Sequence, residues 1–304
     1  MTGKLTAVCG IGLLAGAAAA QVPPDIAAKI RAAGQAMDPI AAGALYRPLF
    51  AHETYQGLTV TRDIAYGNDP LQKLDLYVPE GAKGPLPVLL FVHGGGFTRG
   101  DKHGEYYPDN ITAWAARHRM IGVNVDYRLA PGTTFPGATQ DLAAAIGWVR
   151  ANIASRGGDP ARIVLFGHSA GANHVIDYLG HPKLHGGEFN SVKGAVLLSP
   201  NYVFGSGEAP NVYYGTDRDA QNAVAVNARL KASGVPLFLA YAEFDPEPMR
   251  RTAKGLIADL CKAPAACPRS VELADHNHYT EGDAIGTADA SLTGPLLEWI
   301  GRLG

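Results

Sequence analysis

The strongest indication of the fold is the segment Ile163-Val-Leu-Phe-Gly-His-Ser-Ala-Gly171. Its four leading apolar residues are typical of a strand that is buried on both faces of a sheet. The pattern Gly-x-Ser-x-Gly comes next, and a segment compatible with a helix follows it. The glycines allow a sharp turn with close backbone approach, and this turn would hold the hydroxyl of Ser169 clear of the sheet at a helix N-terminus. The stretch therefore predicts a nucleophilic serine.

Apolar runs elsewhere in the chain predict the rest of a sheet. Four runs are apolar almost throughout, as in parallel strands covered on both sides; they are residues 88–92, 121–125, 163–166 and 195–198. Two further runs, 236–241 and 270–273, each precede a helical stretch, whereas 58–66 and 73–78 alternate like strands with one buried face. The clearest helix carries an apolar stripe formed by Leu142, Ile146, Val149 and Ile153. This alternation predicts an α/β fold with chemistry at the carboxyl ends of the strands.

A second glycine pattern, His93-Gly-Gly-Gly-Phe97, directly follows the predicted strand 88–92. Successive glycines can turn their N–H groups toward a substrate oxygen because no side chain obstructs them. Such a loop acts together with the N–H group of the residue after the serine, here Ala170, to stabilise an oxyanion. The two glycine patterns therefore predict a nucleophile and an oxyanion hole at the same edge of the sheet.

Residues 58–304 resemble the α/β-hydrolase esterases, in particular the hormone-sensitive-lipase-like group. The shared features are HGGGF at 93–97, DYRLAP at 126–131, Phe-Pro at 135–136, a helix containing Asp141 and GHSAG at 167–171. The resemblance implies an α/β-hydrolase fold with helices on both faces of a mostly parallel sheet and a small N-terminal helical cap. It also implies that Gly95, Gly96 and Ala170 supply the oxyanion N–H groups. His168 stands where that group usually carries Asp, but His is common there in related feruloyl- and acetyl-esterase-like branches, so the branch stays open.

The acid and the base of a serine triad are expected after the nucleophile, in that order. Asp245 follows the predicted strand 236–241 and matches the aspartate of the family, with Glu243 as the alternative. His278 and His276 compete in the last loop, and His278 is preferred because it lies deeper in that loop. We expect ester hydrolysis through Ser169, His278 and Asp245 with an acyl-enzyme intermediate. An amide or formamide hydrolase, or a catalytically inactive binding module, stays open.

The N-terminus has the three parts of a secretory signal peptide: Lys4, an apolar stretch over 5–17 and three alanines before Gln21. We expect residues 1–20 to be a signal peptide, 21–57 an N-terminal helical cap segment and 58–304 the catalytic domain. This organisation predicts a periplasmic or secreted protein. In an oxidising compartment Cys261 and Cys267 are expected to form one local disulfide, with two free thiols as the alternative.

Composition narrows the expected partners. The formal net charge is −2, and 47% of residues are hydrophobic, so nothing favours nucleic acid or stable membrane insertion after signal cleavage. His103, His181 and His185 show no metal-ligand spacing, and we expect neither a metal nor a cofactor. The expected partner is a small-molecule or carbohydrate-linked ester, and the C-terminal helix could also serve a homodimer. The natural substrate stays open, as does the role of the aromatic-rich segment 201–220, either a lid or ordinary packing.

Overall fold

An eight-stranded sheet forms the centre of the computed structural model, which describes residues 21–50, 55–200, 211–215 and 223–304. Its strands are β1 Leu58–Ala65, β2 Lys73–Pro79, β3 Leu86–Val92, β4 Ile121–Val125, β5 Gly158–His168, β6 Val192–Leu198, β7 Leu237–Ala242 and β8 Arg269–Leu273. In space they follow the order β1-β2-β4-β3-β5-β6-β7-β8. The pairs β1–β2 and β2–β4 are antiparallel and all other neighbours are parallel. Every predicted run is a strand, and the predicted mostly parallel sheet is confirmed.

Side chains of the central strands alternate between two apolar layers. In β3, Val88, Leu90 and Val92 belong to one buried cluster, whereas Leu89 and Phe91 belong to a second cluster. Successive side chains of a strand point to opposite faces of the sheet, so the two clusters lie on its two sides. Burial on both sides explains why this strand is apolar throughout.

Helices cover both layers. They are α1 Pro24–Ala33, α2 Pro39–Tyr46, α3 Asp109–Arg117, α4 Gly137–Asn152, α5 Ala170–Gly180, α6 Ala223–Ser233, α7 Glu247–Leu260, α8 Thr280–Asp283 and α9 Thr293–Ile300. Helices α4, α5, α6 and α7 pack in the first layer, and α3 and α9 pack in the second. The predicted apolar stripe, which consists of Leu142, Ile146 and Val149 in α4 and Ile153 just after it, is completely or almost completely buried. The helices on both faces that the resemblance implied are thereby confirmed.

The N-terminal helices form a separate apolar cluster against the loops that follow β7 and β8. Ile30 and Tyr46 are completely buried in this cluster, and Ala284, just after α8, is almost completely buried. The side-chain amide of Asn277 also donates a hydrogen bond to Gly34 O at 3.4 Å. The segment predicted as a cap is therefore packed directly on the loop that contains the two candidate histidines.

The aromatic connection after β6 is described only in part. Tyr202 and Phe204 lie outside the described residues. Tyr213 and Tyr214 are buried in the first apolar layer, and the ring of Tyr213 stacks on Phe97 with centroids 5.2 Å apart. These two tyrosines thus contribute to the core rather than to a lid.

Two further sequence expectations concern the chain ends and the cysteines. The predicted signal peptide, residues 1–20, lies outside the described ranges. Within those ranges no helix has the length and apolar character needed to cross a bilayer. Cys261 and Cys267, which follow α7, are joined in a disulfide.

Candidate active site

Ser169 lies at the sharp turn between β5 and α5. Its backbone has φ 54° and ψ −121°, a conformation that costs a non-glycine residue about 1–3 kcal/mol. Close packing maintains the turn. A Cβ atom on Gly171 would lie 2.0 Å from Val92 O, and one on Gly167 would lie 2.4 Å from Gly171 O. Glycine is required at both positions because the start of α5 passes directly against the ends of β3 and β5.

His278 connects Ser169 to Asp245. Its Nε2 lies 2.9 Å from Ser169 Oγ, and its Nδ1 lies 2.8 Å from Asp245 Oδ1. Asp245 is completely buried, and its Oδ2 accepts hydrogen bonds from Ser199 Oγ at 2.5 Å and Ala242 N at 2.8 Å. These two donors fix the orientation of the carboxylate. The structure thus brings together the three residues that the sequence put forward as nucleophile, base and acid.

The two alternative residues make different contacts. His276 is buried with its Nε2 3.3 Å from Asp289 Oδ2, and its ring stacks on Tyr46. Glu243 accepts a hydrogen bond from Asp275 N at 2.9 Å. Both residues therefore hold loops and N-terminal helices together, and neither reaches Ser169.

The glycine loop after β3 passes beside the serine. A Cβ atom on Gly94 would lie 3.0 Å from Ser169 Cβ. Gly95 and Gly96 have φ values of 128° and 60°, a conformation that favours glycine. Within the described residues, the N–H groups of Gly95, Gly96 and Ala170 have no hydrogen-bond acceptor. The Ala170 N–H also begins α5, where the helix dipole favours negative charge.

His168 links the turn at Ser169 to the loop that carries His278. The Tyr107 hydroxyl donates to its Nδ1 at 2.6 Å, and its Nε2–H donates to His278 O at 3.0 Å. Only a neutral imidazole can both accept and donate in this way. Burial, with the nearby His278, holds the pKa of His168 well below its usual value. His168 is therefore an uncharged bridge between the two loops.

A second buried carboxyl, Glu281, lies beside the same histidines and was not predicted from the sequence. Its Oε1 lies 3.2 Å from His168 Nε2 and 3.9 Å from His278 Nδ1. Burial and the charge of Asp245 raise the pKa of Glu281 well above its usual value, although the nearby hydroxyl of Ser199 acts against them. The surroundings of Glu281 therefore favour its protonated form. No motif marks Glu281, since it stands in a short polar helix.

Three ligand atoms of metal-binding types also meet at this point. Among the described residues, His168, His278 and Glu281 offer ligand atoms that lie within 4.8 Å of one another. Both ring nitrogens of His278 already contact Ser169 and Asp245. A metal ion bound here would have to displace one of these contacts, so we describe the group as the surroundings of His278.

A cavity of about 510 Å³ opens onto Ser169 and His278. Helix α2, the glycine loop and the segment around Tyr107 form most of its wall. The lining residues besides Ser169 and His278 are Pro39, Ile40, Gly43, Arg47, Gly94, Gly95, Gly96, Arg99, Gly100, Glu105, Tyr106, Tyr107, His168, Tyr279 and Asp283. At the rim, Arg47 lies over the ring of Tyr106 at 4.4 Å and 3.8 Å from Glu105. The cavity is thus large enough for a small ligand and reaches the serine.

The sheet and the position of Ser169 define the class of protein. A mostly parallel sheet with a serine at a strained strand-to-helix turn, and with an acid and a histidine later in the chain, is the arrangement of the α/β-hydrolases. This chain therefore has the α/β-hydrolase fold. Residues 74–180 match the BD-FAE family model, and this range includes both glycine patterns.

Known proteins similar to this chain bear esterase and lipase names. Bile salt-activated lipase of Homo sapiens is 37% identical over 133 residues, which are 38% of this chain and 18% of the lipase. Versiconal hemiacetal acetate esterase of Dothistroma septosporum is 28% identical over 227 residues, which are 74% of this chain and 63% of the esterase. The chain thus spans less than two thirds of the length of these relatives. A solved fungal esterase from Rhizomucor miehei has a TM-score of 0.67 at 23% identity, covering 93% of this chain and 98% of that chain. The relationship to esterases of this superfamily expected from the sequence is confirmed.

Proposed function

We propose that this chain hydrolyses carboxylic esters, with Ser169 as nucleophile, His278 as general base and Asp245 as the acid that orients the histidine. The observation that carries the proposal is the 2.9 Å distance between Ser169 Oγ and His278 Nε2. In this geometry His278 takes the serine proton as Oγ attacks the ester carbonyl, and Asp245 stabilises the imidazolium. The imidazolium then gives its proton to the leaving alcohol. Water then attacks the acyl-enzyme with His278 again as base. This step releases the carboxylic acid product and regenerates free Ser169.

The proposal includes an oxyanion hole formed by the N–H groups of Gly95, Gly96 and Ala170. Its support is that these donors lie on the two segments closest to Ser169 and have no acceptor within the described residues. Loss of one such donor typically lowers kcat by about 10²–10³-fold. Because all three donors belong to the backbone, they need no reorganisation as the charge develops.

Ester hydrolysis is favoured over other acyl transfers by the names of the relatives. A lipase and an acetate esterase are among the relatives, and the BD-FAE family model matches residues 74–180, which contain Ser169 and the glycine loop. The same three side chains could also cleave an amide or a formamide, and an inactive hydrolase fold could serve as a binding module. These two alternatives are outcomes of the experiment below.

Rapid-mixing hydrolysis of p-nitrophenyl acetate and butyrate tests the proposal. We expect a burst of p-nitrophenol equal in amount to the enzyme, because with these activated esters the acyl-enzyme forms faster than it is hydrolysed. Ser169→Ala removes the burst, whereas His276→Ala, the matched histidine control, retains it. A folded native chain with no burst and no labelling by a serine-reactive phosphonate would support the inactive binding module. The corresponding p-nitroanilides and a formamide are assayed alongside these esters. Faster cleavage of an anilide or of the formamide than of the matching ester would support the amidase alternative.

We further propose export, with removal of residues 1–20 and a role for 21–57 as a cap. Support comes from the signal-like pattern of residues 1–20, from the disulfide between Cys261 and Cys267, which suits an oxidising compartment, and from the place of α2 in the cavity wall. Expression of the full chain in a bacterial host, followed by fractionation and N-terminal sequencing, tests this part. A chain that stays in the cytoplasm with Met1 intact contradicts it.

A further inference from the structure

Asp283 lies in the wall of the cavity at Ser169. The side chain is half-buried and lines the cavity, and within the described residues its buried Oδ2 has no hydrogen-bond partner. Asp289, a few residues further along, accepts hydrogen bonds from Tyr46 and Ser291. Asp283 therefore differs from Asp289, whose two oxygens are satisfied by the protein itself.

The rest of the cavity wall does not satisfy Asp283. The hydroxyl of Tyr107 already donates to His168, and Arg47 contacts Tyr106 and Glu105 at the rim. A buried acceptor is costly when no donor reaches it. The same burial raises the pKa of Asp283 to about 7. A donor that arrives with a ligand would remove this cost.

We infer that Asp283 accepts a hydrogen bond from the substrate, so that this cavity selects esters that carry a hydroxyl group. The inference rests on the proposed function because it names the substrate class of the same site. A neutral hydroxyl group on the ligand fits better than an ammonium group, because Arg47 and Arg99 lie in the same wall and would repel a positively charged ligand. Tyr106 and Tyr279 add aromatic surface beside the acceptor, which suits a ligand with both apolar faces and hydroxyl groups.

Two matched pairs of esters test the inference on each side of the ester bond. Propyl butyrate and 2,3-dihydroxypropyl butyrate differ only in the hydroxyl groups on the alcohol. The esters p-nitrophenyl butyrate and p-nitrophenyl 3-hydroxybutyrate differ only in a hydroxyl group on the acyl chain. We measure kcat/KM for each ester and divide it by the rate constant for hydrolysis of the same ester by hydroxide without enzyme. This ratio corrects for differences in the intrinsic reactivity of the esters. At pH 9, where the Asp283 carboxyl with its pKa of about 7 is ionised, we expect the native chain to prefer the hydroxylated member of one pair by about tenfold to a hundredfold, the magnitude of one hydrogen bond to a charged group.

Three substitutions assign that preference to one side chain. Asp283→Ala removes the acceptor and is expected to abolish the preference. Asp283→Asn keeps the shape and one acceptor oxygen but loses the charge, and it is expected to retain a weaker preference. Glu105→Gln removes the exposed carboxylate at the rim of the same cavity and is expected to keep the native ratio. An unchanged ratio in Asp283→Ala overturns the inference.

Binding separates failure of this inference from failure of the proposed function. The Ser169→Ala chain keeps the cavity, so calorimetry with propyl butyrate and 2,3-dihydroxypropyl butyrate, or with the acyl pair, measures selection without turnover. Tighter binding of a hydroxylated ester, lost on adding Asp283→Ala, supports the inference even where the native chain hydrolyses no ester. Equal affinities for the members of both pairs overturn it, whatever the native chain hydrolyses.

Discussion

The cost of an unpartnered carboxyl in the cavity wall can be measured as a pH dependence of stability. Burial raises the pKa of Asp283 from 3.8 to about 7. Below the lower value the folded and unfolded chains both hold the proton, so this group does not affect the free energy of unfolding. As the pH rises toward 7, the unfolded chain loses the proton first, and the folded state is destabilised by about 1.4 kcal/mol per pH unit. Above pH 7 the total destabilisation of the folded state by this group reaches about 4 kcal/mol.

Asp283→Asn removes this titration while it preserves the size of the side chain. We expect the unfolding free energy of the variant, relative to the native chain, to rise by about 4 kcal/mol between pH 4 and pH 8. Any cost of burying the amide itself is independent of pH and shifts the whole curve. Urea unfolding followed by circular dichroism at unit pH intervals gives the difference, because urea adds no charge.

Asp289→Asn is the matched control, with the opposite sign. Burial acts to raise the pKa of Asp289, but His276 and Ser291 outweigh it and hold the pKa below its usual value. The native Asp289 therefore contributes stability above the unfolded pKa, and this contribution is lost as the pH falls. Its asparagine variant loses stability relative to the native chain as the pH rises. Parallel pH curves for native and Asp283→Asn chains would refute the reasoning for Asp283.

Three further predictions test the triad, the turn and the disulfide. His278→Ala is expected to lower kcat for p-nitrophenyl butyrate by about 10⁴-fold or more, whereas His276→Ala lowers the urea midpoint and leaves most of kcat; comparable losses of kcat would count against His278 as the base. Gly171→Ala is expected to cost more than about 3 kcal/mol of unfolding free energy or to abolish folding, because the new Cβ atom would lie 2.0 Å from Val92 O; a native urea midpoint would contradict the turn. Cys261→Ser is expected to lower the unfolding free energy by about 2 kcal/mol for so short a loop, and an unchanged midpoint without reductant would argue against the pairing.

The strands, the turn at Ser169 and the glycine loop could be predicted because their determinants are local. A strand buried on both faces must be apolar throughout, and only glycine allows the close approach beside β3 and β5. Local sequence does not distinguish His276 from His278 as the base. Chain order places both in the loop after β8, but their directions depend on packing. Tyr46 and Asp289 hold His276 away from Ser169, and no pattern in the sequence joins these distant residues.

The unusual acids of α8 could not be predicted for a related reason. Thr280-Glu-Gly-Asp283 is ordinary polar helical sequence, and such residues are usually solvated. Their burial comes from α2, which packs on α8, and from the histidines behind it. The altered pKa values of Glu281 and Asp283 are therefore properties of the assembled fold. A sequence shows the identity of an acid but not the area of solvent that the fold removes from it.

His168 shows how these unpredicted contacts explain a feature that the sequence did contain. The position usually carries Asp in the hormone-sensitive-lipase-like group, yet here Asp245 and Glu281 already lie beside His278. A third carboxyl at this point would add like-charge repulsion and a further buried acceptor. A neutral imidazole instead donates to His278 O and accepts from Tyr107, which fixes the loop that holds the base without adding charge. The histidine at 168 and the raised pKa of Glu281 therefore act in the same direction, because both limit the negative charge that lies beside His278 in addition to Asp245.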